Sequence, residues 1–428
     1  MKIKYIFETH FHADFVSGHV DLAKATGAKI IYGPTAQPSF DAIIAKDGEE
    51  FRVGDLTIKV LHTPGHTMES TCYLLRDDKG NDKALFTGDT LFIGDVGRPD
   101  LAQKAASMTQ EQLAATLFHS LRDKVMTLPD DVLVYPAHGA GSACGKNMSK
   151  ETVSTVGEQK KTNYALRADM TEDEFVKEVT EGLLPPPKYF PMNVAMNKLG
   201  YESIDTVMER GLKAMTADEF EAAANETDAV MLDTRHDSVF SKGFIPNSIN
   251  ISLDGQFAPW VGALIPDVKQ QLLVVAEPGR EEETVMRLAR VGYDNVIGYL
   301  KGGFASWEKE GKEIDTIKRI KPAEFEKEYG KSGTIVIDVR KPGEYSAEHV
   351  DGALNISLDY INENLAEFPK DKDFIIHCAG GYRSMTAASI LKSRGWENFR
   401  EVEGGYDAIK TTNVPRTDYV CSSKTAKA

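Results

Sequence analysis

Thr9-His10-Phe11-His12-Ala13-Asp14-Phe15 follows directly on the strand-like run Ile3 to Phe7, and its reading decides the fold of the first half of the chain. Side chains two apart on an extended segment point the same way, so His10 and His12 face one site. A lone histidine pair carries little weight, because that spacing arises by chance. Three further segments join it: Thr63-Pro64-Gly65-His66-Thr67, Thr87-Gly88-Asp89-Thr90 and Tyr135-Pro136-Ala137-His138-Gly139. Each follows a predicted strand, as at Leu85-Phe86 and Val132-Leu133-Val134. Ligands on loops after successive strands converge on one edge of a sheet, where imidazole and carboxylate suit zinc or iron.

Around this constellation the chain runs to 428 residues, too long for one core and enough for about three domains. A formal net charge of −15 repels phosphates and anionic lipid, so neither nucleic acid nor a membrane surface is an expected partner. No apolar run reaches the length of a signal peptide or membrane helix, and a cytoplasmic protein is expected. The cysteines, Cys72, Cys144, Cys378 and Cys421, are far apart and form no C-x-x-C pair, which is not a disulfide framework. Cys72, beside the apolar Tyr73-Leu74-Leu75, is expected in the core, and Cys421 in a polar tail.

The second half contains a duplication. Met231-Leu232-Asp233-Thr234-Arg235 matches Val336-Ile337-Asp338-Val339-Arg340, and Asn250-Ile251-Ser252-Leu253-Asp254 matches Asn355-Ile356-Ser357-Leu358-Asp359, both at an offset of 105. Gly302-Gly303 pairs with Gly404-Gly405, so the register drifts by only three residues. A period this long means tandem globular domains, and short apolar runs alternating with helical stretches such as Met385 to Arg394 indicate a mostly parallel sheet in each. Before the duplication, Leu183 to Gly200 carries Pro185-Pro186-Pro187 and Pro191, which exclude an ordinary helix interior, and it reads as the closing segment of the first domain.

In the second copy the strand Phe374-Ile375-Ile376-His377 runs into Cys378-Ala379-Gly380-Gly381-Tyr382-Arg383-Ser384, and a helix follows. Glycines let backbone N–H groups turn inward and the helix N-terminus adds positive potential, so the loop from Ala379 to Tyr382 can hold a persulfide anion on Cys378. Arg383 either supports this loop or binds an anionic sulfur acceptor. The first copy offers Val274-Val275-Ala276-Glu277-Pro278-Gly279-Arg280 instead, with no thiol, a donor lost at Pro278 and the acidic run Glu281 to Glu283 behind it.

The four histidine and aspartate segments resemble the metallo-β-lactamase fold, in the branch containing glyoxalase II and persulfide dioxygenases, over roughly residues 1 to 200. Members usually carry a further pair of strands before the first histidine motif, so this domain is expected to be short at its start. Dinuclear hydrolases of the fold resemble His-x-His-x-Asp-His, whereas here Phe15 follows Asp14, and an aromatic ring cannot replace an imidazole ligand. The resemblance therefore implies a mononuclear site. It gives His10, His66 and Asp89 as ligands of Fe(II), zinc being the alternative, with open positions for O2. His12, Asp14 and His138 are implied as groups that orient ligands or substrate. Arg98, in Gly97-Arg98-Pro99-Asp100, either fixes its loop through Asp100 or pairs with an anionic substrate. Cys144, just beyond His138, lies either at the mouth of the site, handling persulfide, or in the core.

The cysteine loop resembles the active loop of rhodaneses, which implies Cys378 as the nucleophile. As a whole the sequence resembles persulfide dioxygenase/rhodanese fusions. The expected architecture is α/β multidomain: a metallo-β-lactamase-like αββα sandwich over 1–204, a rhodanese-like domain without cysteine over 205–315 and a rhodanese domain over 316–428, both with mostly parallel sheets. The implied reaction oxidises a low-molecular-weight thiol persulfide with O2 to sulfite, and rhodanese transfer then gives thiosulfate, a sulfide-detoxifying sequence. Two other readings stand beside it: a glyoxalase II-like thioester hydrolase with a rhodanese appendage, and a sulfur carrier with a non-catalytic metal domain. A homo-oligomer is expected, with the cysteine-less repeat as its interface.

Overall fold

Strand alternation sorts the apolar strand residues of the first unit among its buried clusters. The computed structural model describes residues 2–183, 185–331 and 333–420, with Cys421 outside them, and divides into Met1–Glu202 and Ser203–Ala428. In the first unit Tyr5–Phe7, Lys29–Tyr32 and Ile43–Ile44 form a parallel sheet. Glu50–Val53, Leu56–His62, Thr71–Arg76 and Asp82–Gly88 form an antiparallel meander, Leu133–Pro136 joins it in parallel, and Ser154–Thr155 closes the edge. Val60 and Tyr73 face the first sheet, where Phe7 packs edge-on against Tyr73 and Phe51 with ring centroids 4.9 and 5.7 Å apart. Their strand neighbours Leu61 and Leu74 face the other way, into a core completed by Leu117 of the helix Gln110–Ser120 and Phe175 of the helix Glu172–Thr180. Both helices begin with a capping box, Thr109 with Gln112 and Thr171 with Glu174. This is the expected αββα arrangement.

The proline-rich closing segment keeps its prolines out of any helix interior. Phe190–Leu199 is a helix despite its proline, because Pro191 sits in the first turn, where no intrahelical N–H bond is lost. Its Asn197 reaches back to donate to the carbonyls of His12 and Phe15, each at 2.8 Å, and so fixes the loop that carries the first histidines.

The second unit contains two five-stranded parallel sheets of identical order. One runs Ala214–Met215, Val296–Leu300, Leu272–Val275, Val230–Asp233, Ile249–Asn250; the other runs Arg319–Ile320, Phe399–Val402, Phe374–His377, Ile335–Asp338, Leu354–Asn355. The repeated Asp-x-Arg and Asn residues are the staple of each copy. Arg235 binds Asp233 through Nε and Nη2 while Asn250 donates to the carbonyls of Asp233 and Arg235; Arg340, Asp338 and Asn355 repeat the pattern. The copies are pinned together by Ser389, whose Oγ accepts from Asn250 N–H at 2.8 Å, and by Asn362, which donates to the Leu264 carbonyl at 3.0 Å. Among the described residues no helix is long and apolar enough to cross a membrane.

Candidate functional site

In the first unit the turns after four strands meet at one edge of the sandwich. His10, His12 and Asp14 follow Tyr5–Phe7, His66 follows Leu56–His62, Asp89 follows Asp82–Gly88 and His138 follows Leu133–Pro136. Asp89 lies at the centre. Its Oδ2 is 3.4 Å from His66 Nε2 and 3.8 Å from His10 Nε2, and its Oδ1 is 3.4 Å from His138 Nε2, which is also 3.4 Å from Asp14 Oδ2. Ligand atoms of His10, His66 and Asp89 all lie within 4.8 Å of one another, as do those of His12, Asp14 and His138, and of Asp89, His138 and Cys144.

The rings are held from behind. His66 Nδ1 is 2.9 Å from the Arg98 carbonyl oxygen and His10 Nδ1 is 2.9 Å from Thr9 Oγ1, which leaves both Nε2 atoms turned toward Asp89. Gly97 makes room for this approach, since a Cβ there would fall 2.0 Å from the Asp89 carbonyl oxygen. Both carboxylate oxygens of Asp89, Asp14 Oδ1, His12 Nδ1 and His138 Nε2 are buried without hydrogen-bond partners. Clustered buried acceptors of this kind are costly unless something satisfies them, and a zinc or iron ion fits the donor set.

Electrostatics agree with a cation-binding cluster. Burial pushes the Asp89 carboxyl up, but His10, His138 and His66 outweigh it and hold the group below the usual carboxylate range. His10 is driven well down by burial and by His12, and His12 falls to about 4 through burial. His138 goes the other way: burial lowers it, yet Asp89 and Asp14 raise it to about 9. Phe15 stacks on His12 with centroids 4.4 Å apart and planes tilted 28°, and so fills the space beside the second cluster with an apolar ring.

Cys144 is 1 % exposed and belongs to the cluster with Asp89 and His138, with burial followed by Asp89 and Asp14 pushing its thiol well up. Arg98 spans the adjoining loops, donating to both carboxylate oxygens of Asp100 at 2.7 and 2.8 Å and to the Ala143 carbonyl at 3.1 Å. Of its two expected roles, these bonds belong to bracing the loop. Cys72 is fully buried in the strand Thr71–Arg76.

The second unit holds a separate reactive group. Cys378 leaves the strand Phe374–His377, and the helix Tyr382–Ser393 starts from Gly381 at φ +110°, a conformation open to glycine. Cys378 Sγ accepts from the Gly381 N–H at 3.1 Å, and Ser384 Oγ lies 3.4 Å from the sulfur, with the Gly381 carbonyl oxygen at 3.0 Å and Glu401 Oε1 at 2.6 Å as the other acceptors its one hydroxyl proton can reach. Arg383 is bound in fork geometry by Glu344, at 2.5 and 2.8 Å. In the cysteine-less repeat the loop glycine has no such donor to offer a sulfur, because the Gly279 N–H is already given to Glu281 Oε2 at 2.7 Å.

A cavity of about 570 Å³ opens at this loop, lined by Gly380, Tyr382 and Gly404 from one repeat, His236, Asp237 and Lys242 from the other, and Arg319. Ser384 as a contact of the sulfur, and Glu401, Arg319 and Asp237 beneath it, escape sequence reasoning. No local pattern marks them, since they come from different elements and from both repeats.

Comparison with known proteins agrees with this division. Residues 1–138 match the metallo-β-lactamase superfamily, and residues 216–310 and 321–412 match the rhodanese-like domain. The mitochondrial persulfide dioxygenase of Homo sapiens is 32% identical over 198 residues, covering 46% of this chain and 69% of that protein. A hydroxyacylglutathione hydrolase of Rhizobium etli is 41% identical over 141 residues; the match covers 32% of this chain and spans about half, 48%, of the hydrolase. A crystal structure described as a metallo-β-lactamase from Staphylococcus aureus subsp. aureus COL superposes with a TM-score of 0.61 at 29% identity, covering 70% of this chain and 85% of that one.

Proposed function

We infer that, since the chain belongs to the persulfide dioxygenase family of the metallo-β-lactamase superfamily and carries two rhodanese-like domains behind that unit, it oxidises a low-molecular-weight thiol persulfide with O2 to sulfite and turns sulfite into thiosulfate, in the cytoplasm. Residues 1–204 carry the oxidation, 316–428 the sulfur transfer, and 205–315 frame the mouth of the cysteine site.

His10, His66 and Asp89 would hold Fe(II), which when bound supplies activation of O2. The chain's own residues do the rest. His12, Asp14 and His138 orient the ligands and the incoming persulfide, and Cys144, beside Asp89, contacts its sulfur. Burial of His10, His66 and Asp89 keeps bulk water from the reacting groups, while the half-buried Asp14 and His138 lie toward solvent. In the second unit the Cys378 thiolate attacks the sulfane sulfur of a persulfide, releasing the carrier thiolate and leaving a persulfide on Cys378. Sulfite then attacks the outer sulfur, thiosulfate departs and the Cys378 thiolate returns. The Gly381 N–H and Ser384 hydroxyl hold the negative sulfur in each anionic state.

The observation that carries this reading over a hydrolase is Phe15, stacked on His12 where a dinuclear site needs an imidazole. The test is O2 uptake by the iron-loaded protein given a thiol persulfide, with sulfite and thiosulfate quantified and His66→Ala as control. Uptake that survives His66→Ala, or none in the iron-loaded parent, sinks the reading. The second reading, a glyoxalase II-like thioester hydrolase, is favoured by the grouping of His12, Asp14 and His138. Two equivalents of zinc with thioester hydrolysis would establish it instead.

A further inference from the structure

Beneath Cys378 a buried polar chain runs on from Ser384 to groups that the sulfur-transfer steps above leave unused. Ser384 Oγ, 3.4 Å from Cys378 Sγ, lies 2.6 Å from Glu401 Oε1. Glu401 is fully buried on the strand Phe399–Val402, and its Oε2 accepts from Arg319 Nε at 2.7 Å. Arg319 Nη2 in turn reaches Asp237 Oδ2 of the cysteine-less repeat at 3.4 Å. The fold does not demand this carboxylate. Arg319 pairs with Glu401 between neighbouring strands of the second sheet, and at the same register of the first sheet Ala214 pairs with Tyr299. A buried ion pair costs desolvation that an apolar pair avoids, and it is present only in the repeat that has the thiol.

We propose that Glu401, acting through Ser384, takes up the Cys378 thiol proton when the thiolate forms and returns it when the cycle closes. This rests on the reading of Cys378 as the sulfur carrier. The Sγ–H bond breaks as its proton passes to Ser384 Oγ, while the Ser384 hydroxyl proton passes to Glu401 Oε1. No electrons change hands, and the hydroxyl that faced the carboxylate then faces the sulfur anion. Glu401 is a positioning residue in this scheme, since it reaches the sulfur only through Ser384.

The charged surroundings suit a proton acceptor near neutrality. Burial pushes Glu401 up, Arg319 and Ser384 draw it down and Asp237 from the facing helix pushes it up again, which leaves it raised to about 7. Glu403, two residues on, acts on the same Arg319. Two groups that share a proton titrate as a pair, in two macroscopic steps.

The experiment is the pH dependence of persulfide formation on Cys378, followed by intact mass in the full-length chain with thiosulfate as donor. The parent should load sulfur in two pH steps. Glu401→Gln should lose the lower step, and Glu401→Asp should restore it. Ser384→Ala cuts the link while leaving the Glu401–Arg319 pair, so it should also give one step, and it stands in if the glutamine variant does not fold. A parent that loads in a single step, superposable on Ser384→Ala, overturns the relay and leaves the sulfur carrier intact. A parent that never gains sulfur overturns both.

Discussion

The hydroxyl of Tyr382, four residues after Cys378, donates to the main-chain carbonyl of Ser252 in the cysteine-less repeat at 2.9 Å. The reactive loop is therefore anchored on a domain that carries no thiol. Tyr382→Phe keeps the ring and removes the bond, at a cost of about 1 kcal/mol. The three tryptophans, Trp260, Trp307 and Trp396, all lie in the second unit, so their fluorescence during urea unfolding reads this loss directly. An unchanged midpoint would mean that the bond contributes nothing to joining the repeats.

Removing one imidazole should empty the metal cluster without touching the cysteine. In His66→Ala the iron content after loading is expected to fall to background, because the set of His10, His66 and Asp89 loses one of its three ligands, while Cys378 still accepts sulfur from thiosulfate. Retention of iron by the variant would relocate the metal to the cluster of His12, Asp14 and His138.

Phe15→His probes the choice between one metal and two. The substitution replaces a ring stacked on His12 with an imidazole beside Asp14 and His138, giving up stacking of about 1 kcal/mol. Metal analysis should show an additional equivalent of zinc in the variant. If the parent already holds that equivalent, the mononuclear reading fails.

The buried Glu401 makes the second unit sensitive to pH. Its carboxyl is raised from 4.5 to about 7, so the folded state holds this proton more tightly than the unfolded chain does. Its contribution is complete below about pH 4.5 and lost as pH rises through about 7, up to about 3 kcal/mol across that window. Tryptophan-monitored urea midpoints should fall over this range in the parent and stay flatter in Glu401→Gln. Parallel curves would place the protonation elsewhere.

What the sequence made legible was whatever repeats or follows a strand. The offset of 105 found Asp233, Arg235, Asn250 and their partners because each copy needs the same staple, and the structure uses them identically. The turns carrying His66, Asp89 and His138 were visible for a similar reason, since Leu56–His62, Asp82–Gly88 and Leu133–Pro136 run the same way and deliver their ends to one edge. Arg98 and Cys144 had two readings each; Arg98 binds Asp100 and the Ala143 carbonyl, and the Cys144 sulfur lies within 4.8 Å of an Asp89 carboxylate oxygen, neighbours that no spacing in the sequence gives. Asn197 and Glu401 were invisible. One acts on His12 across 185 positions and the other reaches the sulfur only through Ser384, so no local spacing encodes either. The helix at Phe190–Leu199 was obscured because a proline excludes a helix interior but suits a helix start.

In the cysteine-less repeat the Glu281 carboxylate already occupies the Gly279 amide, whereas the matching Gly381 amide points at Cys378 Sγ. The cradle is filled from within. A thiol installed at Ala276 would lack the amide donor that Cys378 has, so sulfur loading on it is expected only when Glu281 is replaced as well.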